Sequence, residues 1–368
     1  MSIENLVYVG TYSEQIRFGT GQLLDGKGKG IYRFRFDPAT ASLTLAGITE
    51  GVRNASYLCF DAKREFLYCV NEMKEWKGQF GGGLSAYRID QETGELTFLN
   101  DKPSMGTDPC HIILDKTGKF VFVANFASGS FIGYNIEADG SLGDECAFVQ
   151  HAGTSIDPVR QIGPHAHAVE FDGQGRFVYV PDLGMDKVMV YELDTSNGSV
   201  KPAQQPFVSV KPGAGPRQLV MHPKGRFAYL INELNSTMTA YAYDKATGGL
   251  IELQTLSTLP EGYTGKTSCA EVQITPDGKF LYGSNRGHNS LAIYAVDAET
   301  GRLTAIGHES TRGEIPRNFE VSSNGQFLIA ANQDSDNLVP FRLDPATGKL
   351  TPGGEPVEAG TPICVRFV

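Results

Sequence analysis

Six ionisable side chains, His167, Arg217, Glu233, Arg286, Glu72 and Arg317, occupy corresponding places in a repeating sequence, each beside an apolar run. An imidazole and two carboxylates can move protons near neutral pH. Three guanidiniums can hold an anion, or a carbonyl oxygen on which negative charge develops. The combination suits a small anionic or carbonyl substrate. His165 and Trp76 are expected to complete the pocket, the first as a polar neighbour of His167 and the second as an apolar wall. Any one charged residue at a strand end is more often solvated or paired with a neighbour. Six of them in matching layers favour a site.

What has to position these groups is a repeat. An apolar stretch, a turn ending in Gly-Lys/Arg/Gln-Phe, a second apolar stretch and a closing Asn recur in "HIILDKTGKFVFVAN", "LVMHPKGRFAYLIN", "VQITPDGKFLYGSN" and "FEVSSNGQFLIAAN". Looser copies are "LCFDAKREFLYCVN" and "AVEFDGQGRFVYVPD". The closing residues Asn71, Asn125, Asp182, Asn232, Asn285 and Asn332 follow one another at intervals of 47 to 57. Apolar runs rich in β-branched and aromatic residues, joined by a glycine turn, predict antiparallel hairpins. A second hairpin follows each first one, with a turn such as the Asp-x-x-Thr-Gly of "LAIYAVDAETGRLTAI". Seven second hairpins are present but only six complete first ones. The N-terminal "VYVGTY" and the C-terminal "TPICVRFV" supply the strands of the seventh. An all-β, seven-bladed β-propeller follows, with four antiparallel strands per blade, a ring closed by strands from both termini, and one domain over residues 1–368.

In such a ring the first strand of each blade lines the central channel. The start of the first strand, the end of the second and the start of the third then share one face. Fifteen positions before each closing residue stand Ser56, Cys110, His167, Arg217, Ala270 and Arg317, with Ile363 in the split blade. One position after it stand Tyr12, Glu72, Phe126, Leu183, Glu233, Arg286 and Gln333. The six titratable groups thus converge on one mouth, and mid-strand side chains are expected to be mostly apolar. Residues 13–29, 73–82, 150–163 and 259–269, the longest connections, decorate the same face, where loops usually carry function.

Several other readings fall away. Net charge is −10, from 32 basic and 42 acidic residues, which argues against a nucleic-acid surface. No apolar run reaches membrane-spanning length. The N-terminus lacks a secretory signal pattern, and six cysteines without metal-like spacing fit reduced thiols, so a cytoplasmic location is expected. "GQLLDGKG" begins like a phosphate-binding loop, but Gly28 stands where Ser or Thr is required and a strand follows. His165-x-His167 places two imidazoles on one side of a strand with no third ligand evident, so no metal and no cofactor are expected. Oligomeric state is left open.

The whole chain resembles the seven-bladed propeller lactonases, the family of bacterial 6-phosphogluconolactonase and the fungal 3-carboxy-cis,cis-muconate lactonizing enzyme. The likeness is sharpest in "GAGPRQLVMHPKGRFAYLINELNS", "ITPDGKFLYGSNR" and "PRNFEVSSNGQFLIAAN". It implies that His167, Arg217 of "GPR", Glu233 of "NEL" and Arg286 form the catalytic set; the repeat positions and loops add Glu72, His165, Arg317 and Trp76 as expected substrate-binding neighbours. The expected reaction is hydrolysis of a sugar lactone, most plainly 6-phosphogluconolactone or a related aldonolactone. His167 would be the general base (or Glu233, if their protonation states are reversed). Arg217 and Arg286 would face the oxyanion and an acidic substituent, and Arg317 a 6-phosphate. Two alternatives stand beside it: cycloisomerisation of a carboxymuconate by the same cations, and a non-catalytic propeller scaffold.

Overall fold

In the computed structural model, which describes residues 3–368, the repeats form seven antiparallel sheets arranged as the blades of a ring. Each blade runs outward from the channel. In the fifth, Pro216–Met221 is innermost, followed by Phe227–Asn232, Thr237–Tyr243 and Leu250–Ser257. The second strand is buried along its whole length because both its faces pack on neighbouring blades. The outermost strand exposes much of one face. As the split repeat predicts, the first blade is shared by the two ends of the chain. Pro362–Phe367 pairs antiparallel with Leu6–Thr11, Val9 opposite Val365, and Gly30–Asp37 and Ser42–Glu50 complete the sheet. None of the described residues forms a helix long and apolar enough to cross a membrane.

The repeated residues join one blade to the next. In the fifth blade the Tyr229 hydroxyl donates to the Gly301 carbonyl of the sixth at 3.2 Å. A Cβ on Gly301 would lie 2.3 Å from Phe227, and its φ of 70° also favours glycine. Tyr179 with Gly248 and Tyr282 with Gly348 repeat the hydrogen bond at 2.7 Å. The Phe and Tyr of one hairpin therefore grip the Asp-x-x-Thr-Gly turn of the following blade. At the seam between the last and first blades, Ala41 takes the glycine's place with φ 55°, and Phe327 packs edge-on against Phe36, 4.9 Å between ring centres.

One expectation needs correction. Second and third strands have apolar middles, but many channel-facing residues of the first strands are polar, beside apolar ones such as Ile113 and Val220. Glu271 accepts hydrogen bonds from Gln218 at 2.9 Å and from Asn318 at 2.7 Å. Tyr57 lies between His111, 4.3 Å between ring centres, and Arg366, 4.5 Å above its ring. The reason is geometric. Around the axis no apolar layer is available to pack against, so these buried side chains satisfy one another by hydrogen bonds. Burial, then the positive Arg366 and Arg217, pulls His111 down to about 3, which keeps it neutral in this layer.

Candidate active site

The matching strand ends do bring their charged residues together. Glu233 directly follows the second strand of the fifth blade and sits at the centre of a cluster of cations. Its Oε2 is 2.8 Å from Arg286 Nη2 and 3.3 Å from Arg217 Nε, and its Oε1 accepts from Arg160 Nη2 at 2.7 Å. His167 Nε2 is 4.0 Å from Oε2. Arg217, His167 and Glu233 are all buried. The Arg217 Nε–H is close to the carboxylate but not aligned with it, and the Nε–H groups of both Arg217 and Arg286 lack a hydrogen-bond acceptor within the protein. Both Nε atoms are fully shielded, so of these two guanidiniums the one that a ligand in the cavity meets directly is that of Arg286, which lines it, with Arg217 adding its charge from beneath.

The protonation states follow from these neighbours. Burial alone would raise Glu233, but Arg286, Arg160, His167 and Arg217 outweigh it and hold the carboxyl well below its ordinary value. Burial drives His167 the other way for a base, well below 6.5. Arg217 adds to that shift and Glu233 opposes it. At neutral pH the site therefore pairs an ionised Glu233 with a neutral His167. Arg286 is brought down to about 10 by burial, despite Glu233, and stays charged. On the far side of the cluster, Glu72 accepts a hydrogen bond from the Tyr12 hydroxyl at 2.9 Å, and burial raises its carboxyl. Arg317 lies over the rings of Tyr12 and Phe18, 5.7 and 5.3 Å from their centres.

These groups open into a cavity of about 400 Å³ whose walls include Glu72, Cys110, Phe126, His167, Glu233, Arg286, Arg317 and Gln333. Arg217 lines a small void beneath it with Ser56 and Ile363. Three of the four long connections reach the cavity. The segment 13–29 folds into a hairpin, Ile16–Arg17 against Leu23–Leu24, that contributes Arg17 to Thr20. Residues 150–163 contribute Arg160, and 259–269 contribute Lys266, Thr267 and Ser268. Arg160, which binds the central carboxylate directly, has no counterpart in the repeat. Its only sequence signal is membership of a long loop on the correct face.

Two expected neighbours are not brought into the cavity. Trp76 packs instead on Gly83, where a Cβ would come within 2.5 Å of the indole, and it lines a separate cleft with Arg53 and Asp101. Its short hairpin, Glu75–Trp76 against Gln79–Phe80, turns outward over its own blade. His165 stacks on Phe126, 4.6 Å between ring centres, with Nδ1 2.9 Å from the Phe126 carbonyl, on the other side of that ring system from the cavity wall. The two imidazoles are not on one side because residues 163–169 depart from a regular strand, which resumes only at Glu170–Phe171.

The fourth blade explains that departure. In the second, third, sixth and seventh blades the closing Asn donates its side-chain amide to a carbonyl after the preceding blade's outer strand: Asn71 to Arg53 at 2.7 Å, Asn125 to Ser104 at 2.9 Å, Asn285 to Thr258 at 2.7 Å, Asn332 to Thr311 at 2.9 Å. Asp182 cannot donate. Its Oδ2 instead faces the ring Nδ1 of buried His151 at 2.7 Å, and Tyr191 lies 3.1 Å from the other ring nitrogen. The free Oδ1 accepts from the backbone N–H of His165 at 2.7 Å and of Gly184 at 3.1 Å. A buried Asp–His pair thereby anchors the segment that carries His167.

Comparison with known proteins agrees with this architecture. Residues 6–367 match the family model described as lactonase, 7-bladed beta-propeller. The 6-phosphogluconolactonase of Bacillus subtilis is 34% identical over 316 residues, 85% of this chain and 83% of that protein. That of Formosa agariphila is 35% identical over 305 residues, 82% and 85% of the two chains. The periplasmic gluconolactonase of Pseudomonas aeruginosa superposes with a TM-score of 0.90 at 34% identity, covering 99% of this chain and 98% of that one. The chain belongs to the seven-bladed β-propeller lactonase family.

Proposed function

We propose that this protein hydrolyses an aldonolactone, with 6-phosphogluconolactone as the favoured substrate, to the open-chain acid. The observation that carries the reading is geometric: His167 lies 4.0 Å from Glu233, a buried carboxylate ringed by Arg160, Arg217 and Arg286 at the floor of the cavity. His167 takes a proton from water as the oxygen attacks the lactone carbonyl carbon. The imidazolium so formed is stabilised by Glu233, 4.0 Å away. Negative charge moving onto the carbonyl oxygen meets Arg217 and Arg286. The ring C–O bond then breaks, and the departing alkoxide takes the proton from the imidazolium, which restores neutral His167. Glu233 is a poor base because three guanidiniums hold its proton affinity down, so its role is to fix the guanidiniums and balance the imidazolium.

The names borne by the relatives weigh towards lactone hydrolysis and away from carboxymuconate closure or a scaffold role. A cytoplasmic setting fits six cysteines that are all unpaired. The test is turnover of purified protein on 6-phosphogluconolactone, glucono-δ-lactone and 3-carboxymuconate, with His167→Ala and Arg217→Ala as site variants. Lactone opening that both substitutions lower by about a hundredfold or more supports the proposal. Native-like kinetics in both variants, or turnover of carboxymuconate alone, overturns it.

A further inference from the structure

The fifth blade joins its second strand to its third through residues 233–236, whereas the same connection in the first blade runs from 12 to 29. This long connection is built, not draped. Ile16–Arg17 pairs with Leu23–Leu24, and beneath them Tyr12, Ile16 and Ile363 form a small apolar cluster on which Phe18 and Leu24 pack. Both ends are fastened. Arg53 grips the Glu14 carboxylate with two hydrogen bonds of 2.6 and 2.9 Å, and Lys27 pairs with Asp336 at 2.5 Å. The glycines of "GQLLDGKG" have their use here: Gly21 turns the chain with φ 83°, and a Cβ on Gly26 would lie 2.6 Å from the Glu14 carbonyl oxygen that the returning chain passes.

From this base the tip reaches across the ring. It springs from the first blade, yet a Cβ on Gly19 would lie 3.2 Å from the ring of Phe126 in the third blade and 3.7 Å from Arg160 Nε, in the loop before the fourth. On the near side Phe18 stands edge-on to Tyr12, 6.1 Å between ring centres, with the Arg317 guanidinium 5.3 Å from the centre of its own ring. Arg17 to Thr20 and Gln22 thereby roof the cavity whose floor holds His167, Glu233 and Arg286.

We propose that the tip of this hairpin, residues 18–22 with Phe18 on its inner side, is a specificity-determining roof that admits lactones of a single sugar ring and turns away those bearing a second sugar. This rests on the lactonase reading and adds a steric selection to it. With the lactone carbonyl on the floor, against His167 and Arg286, the ring carbons farthest from it point at the tip. At about 400 Å³ the cavity lies at the small end of ligand pockets, which run from about 300 to 1,000 Å³. A second ring on those carbons has to push Phe18 off Tyr12 and Arg317, or Gly19 away from Phe126. A tip fastened at both ends yields to that only at a cost.

The test is the ratio of kcat/KM on glucono-δ-lactone to kcat/KM on lactobiono-δ-lactone, which carries a galactosyl group on the oxygen of its fourth carbon. It is measured for the native protein, for Phe18→Ala, and for a variant in which Gly-Gly replaces residues 18–22. That two-residue turn joins Arg17 to its partner Leu23 and leaves the cluster around Ile16 in place. The native ratio is expected to be about a hundred or more; the shortened tip lowers it roughly tenfold or more, and Phe18→Ala lowers it less. A native ratio near one, or a ratio that the shortened tip leaves unchanged, overturns the roof while lactone opening itself stands. If neither lactone is opened, the lactonase reading falls, and calorimetric titration with gluconate and lactobionate decides the roof instead. Binding of gluconate alone by the native protein, and of both acids by the shortened variant, sustains it; equal binding of the two by the native protein overturns it.

Discussion

Replacing Glu233 by glutamine keeps the side chain's size and removes one charge at the centre of the cluster. At 4.0 Å from His167 Nε2, with both groups buried, an effective dielectric of about 20 makes the attraction between the carboxylate and a protonated imidazole about 4 kcal/mol. In the proposed reaction that attraction is absent while His167 is neutral and grows as the proton arrives, so its loss is felt in kcat more than in KM. Three guanidiniums already lean on Glu233 and take up part of its field. We therefore expect kcat to fall by about a hundredfold, or about 2.7 kcal/mol. The pH profile is a second readout. Burial and Arg217 hold His167 well below 6.5 while Glu233 raises it, so native activity is level above that pH and declines only in acid. Without Glu233 the acid limb moves further down. Three guanidiniums left without a countercharge also cost about 3–5 kcal/mol of stability, so rates are taken well below the variant's thermal midpoint. The assay is initial lactone opening between about pH 4 and 8, corrected for spontaneous hydrolysis. An acid limb that moves to higher pH, or a kcat within twofold of native, refutes the reasoning.

Arg160→Ala removes the 2.7 Å bond to Glu233 Oε1, and kcat/KM is expected to drop roughly tenfold or more by steady-state kinetics. Asp182→Asn breaks the buried pair with His151 and costs about 1.5–3 kcal/mol in thermal or denaturant unfolding. Adding His151→Ser, which reproduces the Ser104–Asn125 arrangement of the third blade, should recover most of that stability; no recovery would mean that the pair is not what anchors residues 163–167. Trp76→Phe leaves kcat/KM within about twofold of native, because the indole lies in another cleft, and a tenfold loss would return it to the substrate site.

Arg217, Glu233 and Arg286 were legible in the sequence for a specific reason. Strand register is copied from blade to blade, so a fixed offset from the closing Asn names the same height around the ring. His167 obeys the same offset although its strand is irregular, because backbone pairing persists there: Ala166 stands opposite Asp182, and the His167 N–H donates to the Pro181 carbonyl at 3.0 Å. Loops carry no such register. The length of 150–163 and of 73–82 indicated their face but not their direction, so Arg160 was missed and Trp76 was assigned to the wrong wall. The polar channel layer was also hidden, since a Gln or Asn inside an apolar strand looks like an isolated exception until seven strands are seen meeting at one axis. Glu271 shows this well: its two partners, Gln218 and Asn318, come from the blades on either side of its own.

The shared first blade has a consequence for when the site comes into being. Residues 362–367 supply the inner wall from Ile363, beside Ser56 and Arg317, down to Arg366. That wall is whole only when Pro362–Phe367 has paired with Leu6–Thr11, so ring closure and the forming of the funnel are one event.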